Sequence, residues 1–582
     1  GLDITSITAS TLDLLTNGKI TDSGNIAVTN EAKFNSTGNE ILLGDGKAAD
    51  GTTVVAETTG FGSLDFAGGI ITITEDDAMA IAASEATGAL TLTANGAITQ
   101  TTDATAGPID AISTSSFNSG ANVITLTQAN DFAGAVSLTN TGDNLVQVTD
   151  ANAIDLGAVS VGGALTVNSS GTISDSDTVN VAGLATFVSG GKSITLGDTT
   201  TLAMGSVDFA GSTVSIKESD AMVLEASETT GGDLTLDAGT NSISQNGLVN
   251  APGSVSLTGG VITLTQDNIL GSITVASGAG EVKITEADTT NGIDIAAITR
   301  TDGDLTLDGK TNAIDQVGTG VISIDDGALK LTGGAITLTN NNVVGAITVA
   351  TGSGNVSITE GDTLANGMDI ASITRTIGDL TLNSGTAPID HAVAGTGVIS
   401  IASGALNLNG GKITLTNDNI FGAITVASGA GEIKITEADT NGIDIAAITR
   451  TDGDLTLDGK TNAIDQAGII SIDDGALNLT GGAITLAEEN VFGDISVTTG
   501  IGSVSITEAD VAKGMDIVSV FRTDGDLTLN SITNSIEQTG IISIDDGALN
   551  LTGSAITLTQ DNIVGAITVT TGSGNVSIKE AD

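Results

Sequence analysis

The chain has 582 residues, of which 40% are hydrophobic, and it contains no cysteine, tryptophan or tyrosine. Seventy acidic residues stand against 17 basic ones, and the formal net charge of −53 excludes nucleic acid as a partner, because nucleic acid requires a basic surface. The lack of cysteine excludes disulfides and thiolate metal sites, and the lack of a long apolar run argues against insertion into a membrane.

Along the chain, a six-residue pattern recurs in which glycine precedes alternating aliphatic and polar residues. Its GDLTLD and GDLTLN copies are separated by steps of 71, 75, 75 and 72 residues, and they begin at Gly232, Gly303, Gly378, Gly453 and Gly525. Related copies begin at Gly327 and Gly354. A repeat of roughly 20 to 50 residues without helical periodicity is typical of a solenoid.

The elements within each repeat are short strands. Aliphatic residues alternate with Thr, Ser or Asp, a period of two that predicts one buried face and one solvated face. Gly- and Asn-rich turns of two to six residues separate the strands, too short for the helical crossovers of a βαβ fold. Three strands in each 21–27 residues therefore predict an all-β chain, folded as the triangular coils of a parallel β-helix.

Acidic residues near the end of every third signature divide the chain into eight super-repeats. With three coils in each, the sequence predicts about 24 coils in a single continuous β-solenoid, about 115 Å long at the usual strand spacing. No capping or secretion domain is evident. The approximate super-repeats are 1–76, 77–150, 151–220, 221–288, 289–362, 363–439, 440–510 and 511–582.

The two ends of the chain are in matching phase. The final SIKEAD leads into the initial GLDITSIT in the same way that SITEAD leads into GMDIVSV inside the chain. We expect either that the sequence is a window of a longer chain or that protomers join end to end.

Two sets of polar residues recur at fixed positions. The asparagines of a T-x-x-N-[IV]-x-G turn are predicted to have a structural turn or ladder role, because Asn tolerates the left-handed conformation and bonds nearby backbone. They are Asn268, Asn342, Asn419, Asn490 and Asn562. Arginines that precede T-[D/I]-G-D are predicted to form structural ion pairs with the Asp four residues later, the alternative being a row of anion contacts. They are Arg300, Arg375, Arg450 and Arg522.

Acidic groups around a short turn suggest calcium, because carboxylates with nearby carbonyl groups can hold Ca²⁺. The groups are Glu286, Asp288 and Asp294; Glu360, Asp362 and Asp369; Glu437, Asp439 and Asp444; and Glu508, Asp510 and Asp516. Their spacing matches neither known calcium-loop pattern, and a solvated acidic edge is the alternative. No cofactor is required, Ca²⁺ is a candidate, and we expect chelation at low ionic strength to lower the melting temperature.

Catalysis is not expected. The one histidine, His391, stands where Gln316 and Gln466 stand in the other copies, and near-identical repeats present no single active site. A polysaccharide-degrading β-helix usually needs clustered Asp with basic residues, and aromatic platforms for sugars. An ice- or mineral-binding surface would need flat T-x-T arrays. The ITIT segment from Ile71 is one hint of such an array.

Three stretches carry a family resemblance: GALTLTANGAITQ from Gly88, GANVITLTQANDFAGAVSLTN from Gly120 and NAIDLGAVSVGGALTV from Asn152. They resemble the repeats of filamentous-haemagglutinin-like bacterial exoproteins. The resemblance implies a right-handed parallel β-helix, exported to the bacterial cell surface as an adhesin or extracellular filament. We therefore expect a structural rod, the shaft of a surface adhesin or a segment of a fibre. Its expected partners are other copies of itself, or a host or neighbouring cell surface.

Overall fold

A computed structural model describes residues 1–48, 50–103, 106–276, 278–325, 327–361, 367–392, 396–427, 429–498 and 500–581. The regular secondary structure of these residues is β-strand throughout. The described chain therefore contains no helix of the length and apolarity that crossing a membrane requires. The chain divides into two compact units, Gly1–Glu286 and Ala287–Asp582.

Strands of the first unit are short, most of them three to five residues. Their bounds are Leu2–Ile4, Ile7–Ala9, Leu12–Leu15, Ile20–Asp22, Ile26–Asn35, Ile41–Leu43, Thr59–Gly68, Ile71–Glu75, Met79–Ile81, Ser84–Ala86, Leu90–Ala94, Ile98–Gln100, Ile109–Ala111, Ser115–Asn118, Ile124–Phe132, Val136–Asn140, Val146–Asp150, Ile154–Val161, Leu165–Ser169, Ile173–Asp175, Val179–Val188, Ile194–Leu196, Leu202–Gly211, Val214–Lys217, Met222–Leu224, Ser227–Thr229, Leu234–Asp237, Ile243–Gln245, Val249–Ala251, Val255–Thr258, Ile262–Leu270, Ile273–Ala276 and Val282–Glu286.

Strands of the second unit are of similar length. Their bounds are Ile293–Arg300, Leu305–Asp308, Ile314–Gln316, Ile322–Ile324, Leu329–Thr332, Ile336–Asn342, Ile347–Ser353, Val356–Glu360, Met368–Ile377, Leu380–Asn383, Ile389–His391, Ile399–Ile401, Leu406–Asn409, Ile413–Asn419, Ile424–Val426, Ile433–Glu437, Ile443–Arg450, Leu455–Asp458, Ile464–Gln466, Ile470–Ile472, Leu477–Thr480, Ile484–Asn490, Ile495–Thr498, Val504–Glu508, Met515–Arg522, Leu527–Ser531, Ile536–Gln538, Ile542–Ile544, Leu549–Gly553, Ile556–Asn562, Ile567–Thr571 and Val576–Glu580.

Successive coils stack in parallel and keep the same face inward. In the first unit Val146 pairs with Leu165, Leu165 with Ala185, and Ala185 with Val207, so one aliphatic column runs through four coils. Polar residues between them, such as Gln147 and Thr166, point outward and also stack. The period of two in the sequence therefore builds a β-solenoid, and the predicted right-handed parallel β-helix is confirmed.

The coils are shorter than the signature spacing predicts. The copies at Leu329 and Val356 lie 27 residues apart, but they do not stack on each other. Leu329 pairs with Ile347, 18 residues later, and Val356 pairs with Ile336. The described chain makes about 27 turns, roughly the predicted 24. The number is somewhat higher because a signature marks a strand and not the length of a coil.

Candidate functional site

The recurrent asparagines lie inside the solenoid, at bends in the strands. Asn419 is fully buried where the pairing with the next coil shifts after Leu415. Its Nδ2 donates to the carbonyl oxygens of Leu415 and Thr436, each at 3.1 Å, and its Oδ1 accepts from the amide of Ile399 at 2.9 Å. Each asparagine thus joins three coils and supplies partners to backbone groups that the bend leaves free.

The other predicted asparagines repeat these contacts. Asn268, Asn342, Asn490 and Asn562 are buried, and each receives an amide hydrogen bond from the previous coil and donates to a carbonyl of the next. Asn130 holds the same position and was missed, because its ANDF turn departs from the pattern used to find the others. At all six sites the asparagine side chain therefore belongs to the hydrogen-bond network that joins the backbones of adjacent coils, called the backbone frame below.

His391 lies beside this frame. It occupies the coil position of Gln316, whose Nε2 donates to Asn342 Oδ1 at 2.6 Å. In the corresponding copy the pKa of His391 is lowered, chiefly by burial. The histidine therefore replaces a half-buried glutamine in an interior network.

The recurrent arginines are also interior, and in three copies they bond to backbone carbonyl groups, which corrects the predicted ion pairs of Arg375, Arg450 and Arg522. Arg375 and Arg450 are each 1% exposed and Arg522 is 2% exposed. Arg450 donates to the carbonyl oxygens of Gly410 at 2.9 Å and Gly431 at 3.0 Å, and also to that of Gly411. Arg375 and Arg522 make the matching contacts with Gly333, Gly334 and Gly354 and with Gly481, Gly482 and Gly502.

The aspartates predicted as partners of Arg375, Arg450 and Arg522 bond instead to the next coil. Asp379, Asp454 and Asp526 accept hydrogen bonds from the amides of Ala405, Ala476 and Ala548 on the next coil, and Asp304 accepts one from Ala328. The fourth arginine, Arg300, is buried at the same repeat position. Burial lowers the pKa of all four guanidinium groups.

Glutamates that open the predicted calcium groups are buried too. Glu286, Glu360, Glu437 and Glu508 have at most 3% of their surface exposed. Glu437 Oε1 accepts from the Phe421 amide at 3.1 Å, and burial raises the pKa of this side chain to about 8. Burial likewise raises the pKa of Glu508 to about 9. Burial therefore favours the protonated form of Glu437 and Glu508, so the folded chain carries less negative charge at neutral pH than the formal −53.

The remaining members of the predicted groups face outward. Asp288, Asp439 and Asp510 accept hydrogen bonds from turn amides two residues later, and Asp362 lies outside the described residues. The last members oppose another carboxylate on the next coil, in the pairs Asp294–Asp315, Asp369–Asp390, Asp444–Asp465 and Asp516–Glu537. Among the described residues, none of the predicted groups brings three carboxylate oxygens within 4.8 Å of one another.

A different set of three carboxylates does meet. One oxygen each from Asp22, Asp45 and Glu57 lies within 4.8 Å of the other two, the one such group in the described part of the chain. Asp22 ends the strand Ile20–Asp22, and Asp45 and Glu57 lie in the connection between the strands Ile41–Leu43 and Thr59–Gly68. The repeat pattern missed this group because the connection matches no other copy.

Comparison with known protein families identifies repeats in this chain. A family described as repeats of unknown function (DUF5649) matches residues 1–61, 67–139, 142–210, 211–277 and 430–499, more than half of the chain. The chain is 27% identical over 585 aligned positions to Outer membrane protein A of Rickettsia rickettsii. That alignment covers 94% of the chain but only 24% of the relative, and no solved structure matches. A filamentous-haemagglutinin-like assignment is not confirmed by these matches. By the extent of its match, the chain belongs to the family of repeats of unknown function, DUF5649.

Proposed function

We propose that this chain is a structural segment of a bacterial cell-surface protein, the shaft of an adhesin or a segment of an extracellular fibre. Its similarity to a relative named as an outer membrane protein supports a surface location. Its membership of a repeat family supports a role that depends on repetition. We infer a structural role and not a catalytic one.

The observation that carries the proposal is where the recurrent polar residues lie. The asparagines are buried and bonded to backbone in every copy, from Asn268 to Asn562. Buried arginines likewise bond to glycine carbonyls at Arg375, Arg450 and Arg522. These recurrent residues hold one coil to the next, which supports a role that depends on the stacking of coils.

The outer face fits the same role. Its side chains are mainly Thr, Ser, Asn and Asp, as in the stack of Ser215, Thr235, Ser256 and Thr274. Outward carboxylates repel those of neighbouring molecules, which discourages lateral clumping unless cations screen them. The proposed partners are therefore further copies of the chain, joined end to end, or a neighbouring cell surface.

Deletion of one complete period in the whole protein tests this proposal. Removing residues 303–377 joins Asp302 to Gly378, which begins the same signature as Gly303. Because the phase is kept, we expect the shortened protein to fold, to reach the cell surface and to be shorter in electron micrographs. The matched control removes ten fewer residues, 313–377. Because the coils of this variant no longer pair in register, we expect it to be sensitive to proteases.

Two outcomes of this experiment would contradict a structural role. One is an in-phase protein that folds and reaches the surface but has lost a specific binding activity of the parent. The other is a protein that remains inside the cell, as surface-labelling with an impermeant reagent would show.

A Thr-rich ice- or mineral-binding surface is a second candidate. Thr72 and Thr74 pair directly with Thr91 and Thr93 on the next coil, which gives a two-coil T-x-T array. The following coil carries Ser116 and Asn118 in these columns, so the array ends there. An ice-recrystallisation assay distinguishes the candidates, since inhibition that is lost in Thr72→Lys would favour this surface.

A further inference from the structure

The first unit contains two copies of one local structure, in residues 20–76 and 173–219. In both, a strand pairs with its neighbour through stacked phenylalanines, Phe34 on Phe66 and Phe187 on Phe209. Both strand pairs have a register shift two residues beyond the start of pairing. The backbone frame is thus the same in the two copies, so differences between them reflect local sequence.

Each copy ends its first strand with an aspartate bonded to a glycine amide. The amide of Gly44 donates to Asp22 Oδ1 at 2.9 Å, and the amide of Gly197 donates to Asp175 Oδ1 at 2.9 Å. Both glycines have a left-handed backbone, with φ of 69° and 75°. A Cβ at either position would lie about 2 Å from a carbonyl oxygen of the next coil, so glycine is required.

An insertion of ten residues distinguishes the first copy. Leu202 follows Gly197 by five residues, whereas Thr59, at the same register position, follows Gly44 by fifteen. The added residues fold back on themselves, because Lys47 pairs antiparallel with Val54 and the Val55 amide donates to the Gly46 carbonyl at 2.9 Å.

Asp50 holds the turn of this insertion through the amides of Thr52 and Thr53, at 2.9 and 2.7 Å. The returning chain then places Glu57 next to Asp45, where Glu57 Oε1 accepts from the Gly46 amide. The insertion therefore delivers a second carboxylate to the aspartate at the end of the strand.

The hydrogen bonding of the two aspartates differs as a result. In the second copy the hydroxyl of Thr200 donates to Asp175 Oδ2, so both carboxylate oxygens have a partner. In the first copy Asp22 is only 1% exposed, yet its Oδ2 has no hydrogen-bond partner. The second oxygen of Glu57, Oε2, is also buried without one.

The residue beside Gly44 also differs between the two copies. Thr59 is 2% exposed and its hydroxyl has no hydrogen-bond partner. That hydroxyl lies 3.1 Å from the point where a Cβ on Gly44 would stand, and Leu202 takes the same place beside Gly197. The first copy therefore collects buried oxygen atoms where the second copy is apolar or hydrogen-bonded.

The three carboxylates lie close together in a partly buried place. Burial, with Glu57 and Asp45 nearby, raises the pKa of Asp22 to about 7, and burial also raises the pKa of Glu57. The ammonium of Lys47 lies 3.9 Å from Asp45 Oδ2, and the Lys47 side chain is nearly half-exposed, so this ion pair lies on the outer side of the group. On the inner side, one oxygen each of Asp22, Glu57 and Thr59 is buried without a hydrogen-bond partner.

We propose that Asp22, Asp45 and Glu57 bind a hard divalent cation of the Ca²⁺ class. The donors are all oxygen atoms, which hard cations prefer. Ca²⁺ binds oxygen at roughly 2.3–2.6 Å, so ligands on opposite sides of the ion lie about 5 Å apart, which the spacing of the three carboxylates allows. Water would complete the shell, and the buried hydroxyl of Thr59 beside Gly44 is a further candidate ligand.

Hydrogen exchange on the whole chain tests the site with CaCl₂ as the probe, in 0.15 M NaCl to screen diffuse binding. If Ca²⁺ binds only the closed site, exchange of residues 42–58 slows by about tenfold when Ca²⁺ is at ten times its dissociation constant. Residues 195–201 of the second copy serve as the control within the same molecule and should not respond. Chelator should restore the original rate.

Variants then separate binding from folding. Glu57→Gln keeps the acceptor for the Gly46 amide and should abolish the calcium-dependent protection, whereas Asp198→Asn in the second copy should leave it intact. A second variant, Asp45→Asn, changes a half-buried side chain and should also abolish it. Equal protection of both segments would overturn the proposal, as would no protection of either. Full calcium-dependent protection that persists in both the Glu57→Gln and the Asp45→Asn variant would also overturn it.

Discussion

The two copies of the local structure in residues 20–76 and 173–219 differ in how they satisfy a buried aspartate. Each must accommodate a buried aspartate at the end of a three-residue strand, Asp22 in one and Asp175 in the other. The second copy completes the hydrogen bonds of its aspartate with one threonine hydroxyl. The first copy has a ten-residue insertion that brings the carboxylate of Glu57 to the group, while the stacked phenylalanines keep their register.

This difference shows where a solenoid can change its chemistry. Core columns and strand registers are tightly constrained, because each residue pairs with a coil on either side. Connections between strands carry no such constraint, and ten added residues leave the pairing of Ile26 with Thr59 equivalent to that of Val179 with Leu202. New sites are therefore expected in connections, on top of an unchanged stack.

Truncating the shared core should produce the largest effect, and an equal one in both copies. Phe66 and Phe209 are each at most 1% exposed in matching registers. Phe66→Ala and Phe209→Ala should each lower the local free energy of unfolding by about 3–5 kcal/mol. Hydrogen exchange of strands Thr59–Gly68 and Leu202–Gly211 measures the two effects. A loss in one copy that is more than about twice the loss in the other would break the equivalence.

Raising the pH should destabilise both copies, and the first more than the second. Burial raises the pKa of Glu75 and of Glu218 from 4.5 to about 8, so between these values the folded chain holds protons that the unfolded chain releases. Stability is greatest below pH 4.5 and falls by up to about 1.4 kcal/mol per pH unit for each group until pH 8. Asp22, with its pKa raised to about 7, adds to this loss in the first copy alone.

Exchange rates in chelator, followed from pH 5 to pH 8 and corrected for intrinsic exchange, measure this dependence. Glu218→Gln keeps a neutral acceptor for the Met204 amide and should flatten the pH dependence of the second copy. Glu75→Gln should do the same for its share of the first. Unchanged slopes in both variants would show that these carboxyl groups ionise normally.

Removing one hydroxyl should make the second copy resemble the first, with a smaller effect. Thr200→Val leaves Asp175 Oδ2 without its donor, which should cost about 1–3 kcal/mol of local stability. Calorimetry and exchange of residues 173–205 measure the loss. Thr199→Val, at the exposed neighbouring position, is the matched control and should change stability by less than about 0.5 kcal/mol. Equal effects of the two variants would show that the hydroxyl does not satisfy the aspartate.

The fold could be predicted because alternation and turn spacing determine it locally. The period of two predicts which face each residue occupies, for example in Val146, Gln147 and Val148. The same period could have located the buried glutamates, since Val282, Ile284 and Glu286 have the same parity and all three are buried. Treating every carboxylate as solvated led to the prediction of calcium loops at these positions.

The arginine partners and the carboxylate group could not be read in this way. Which carbonyl oxygens face Arg450 depends on a stacking offset of about 20 and 40 residues, and the signature spacing gave the wrong offsets. Asp22, Asp45 and Glu57 meet only because a hairpin folds back, and the sequence contains no repeat by which to align it.

Each interior guanidinium also sets a minimum unit of cooperativity. Arg375 bonds to Gly354 one coil back and to Gly333 and Gly334 two coils back, across separations of 21 and about 40 residues. Stability in most solenoids is a sum over adjacent repeats, like a one-dimensional chain with nearest-neighbour coupling. Here the coupling extends to second neighbours. When one coil detaches, a buried guanidinium two coils away therefore loses its hydrogen-bond partners. Unravelling under force should therefore proceed in steps of several coils, and not one coil at a time.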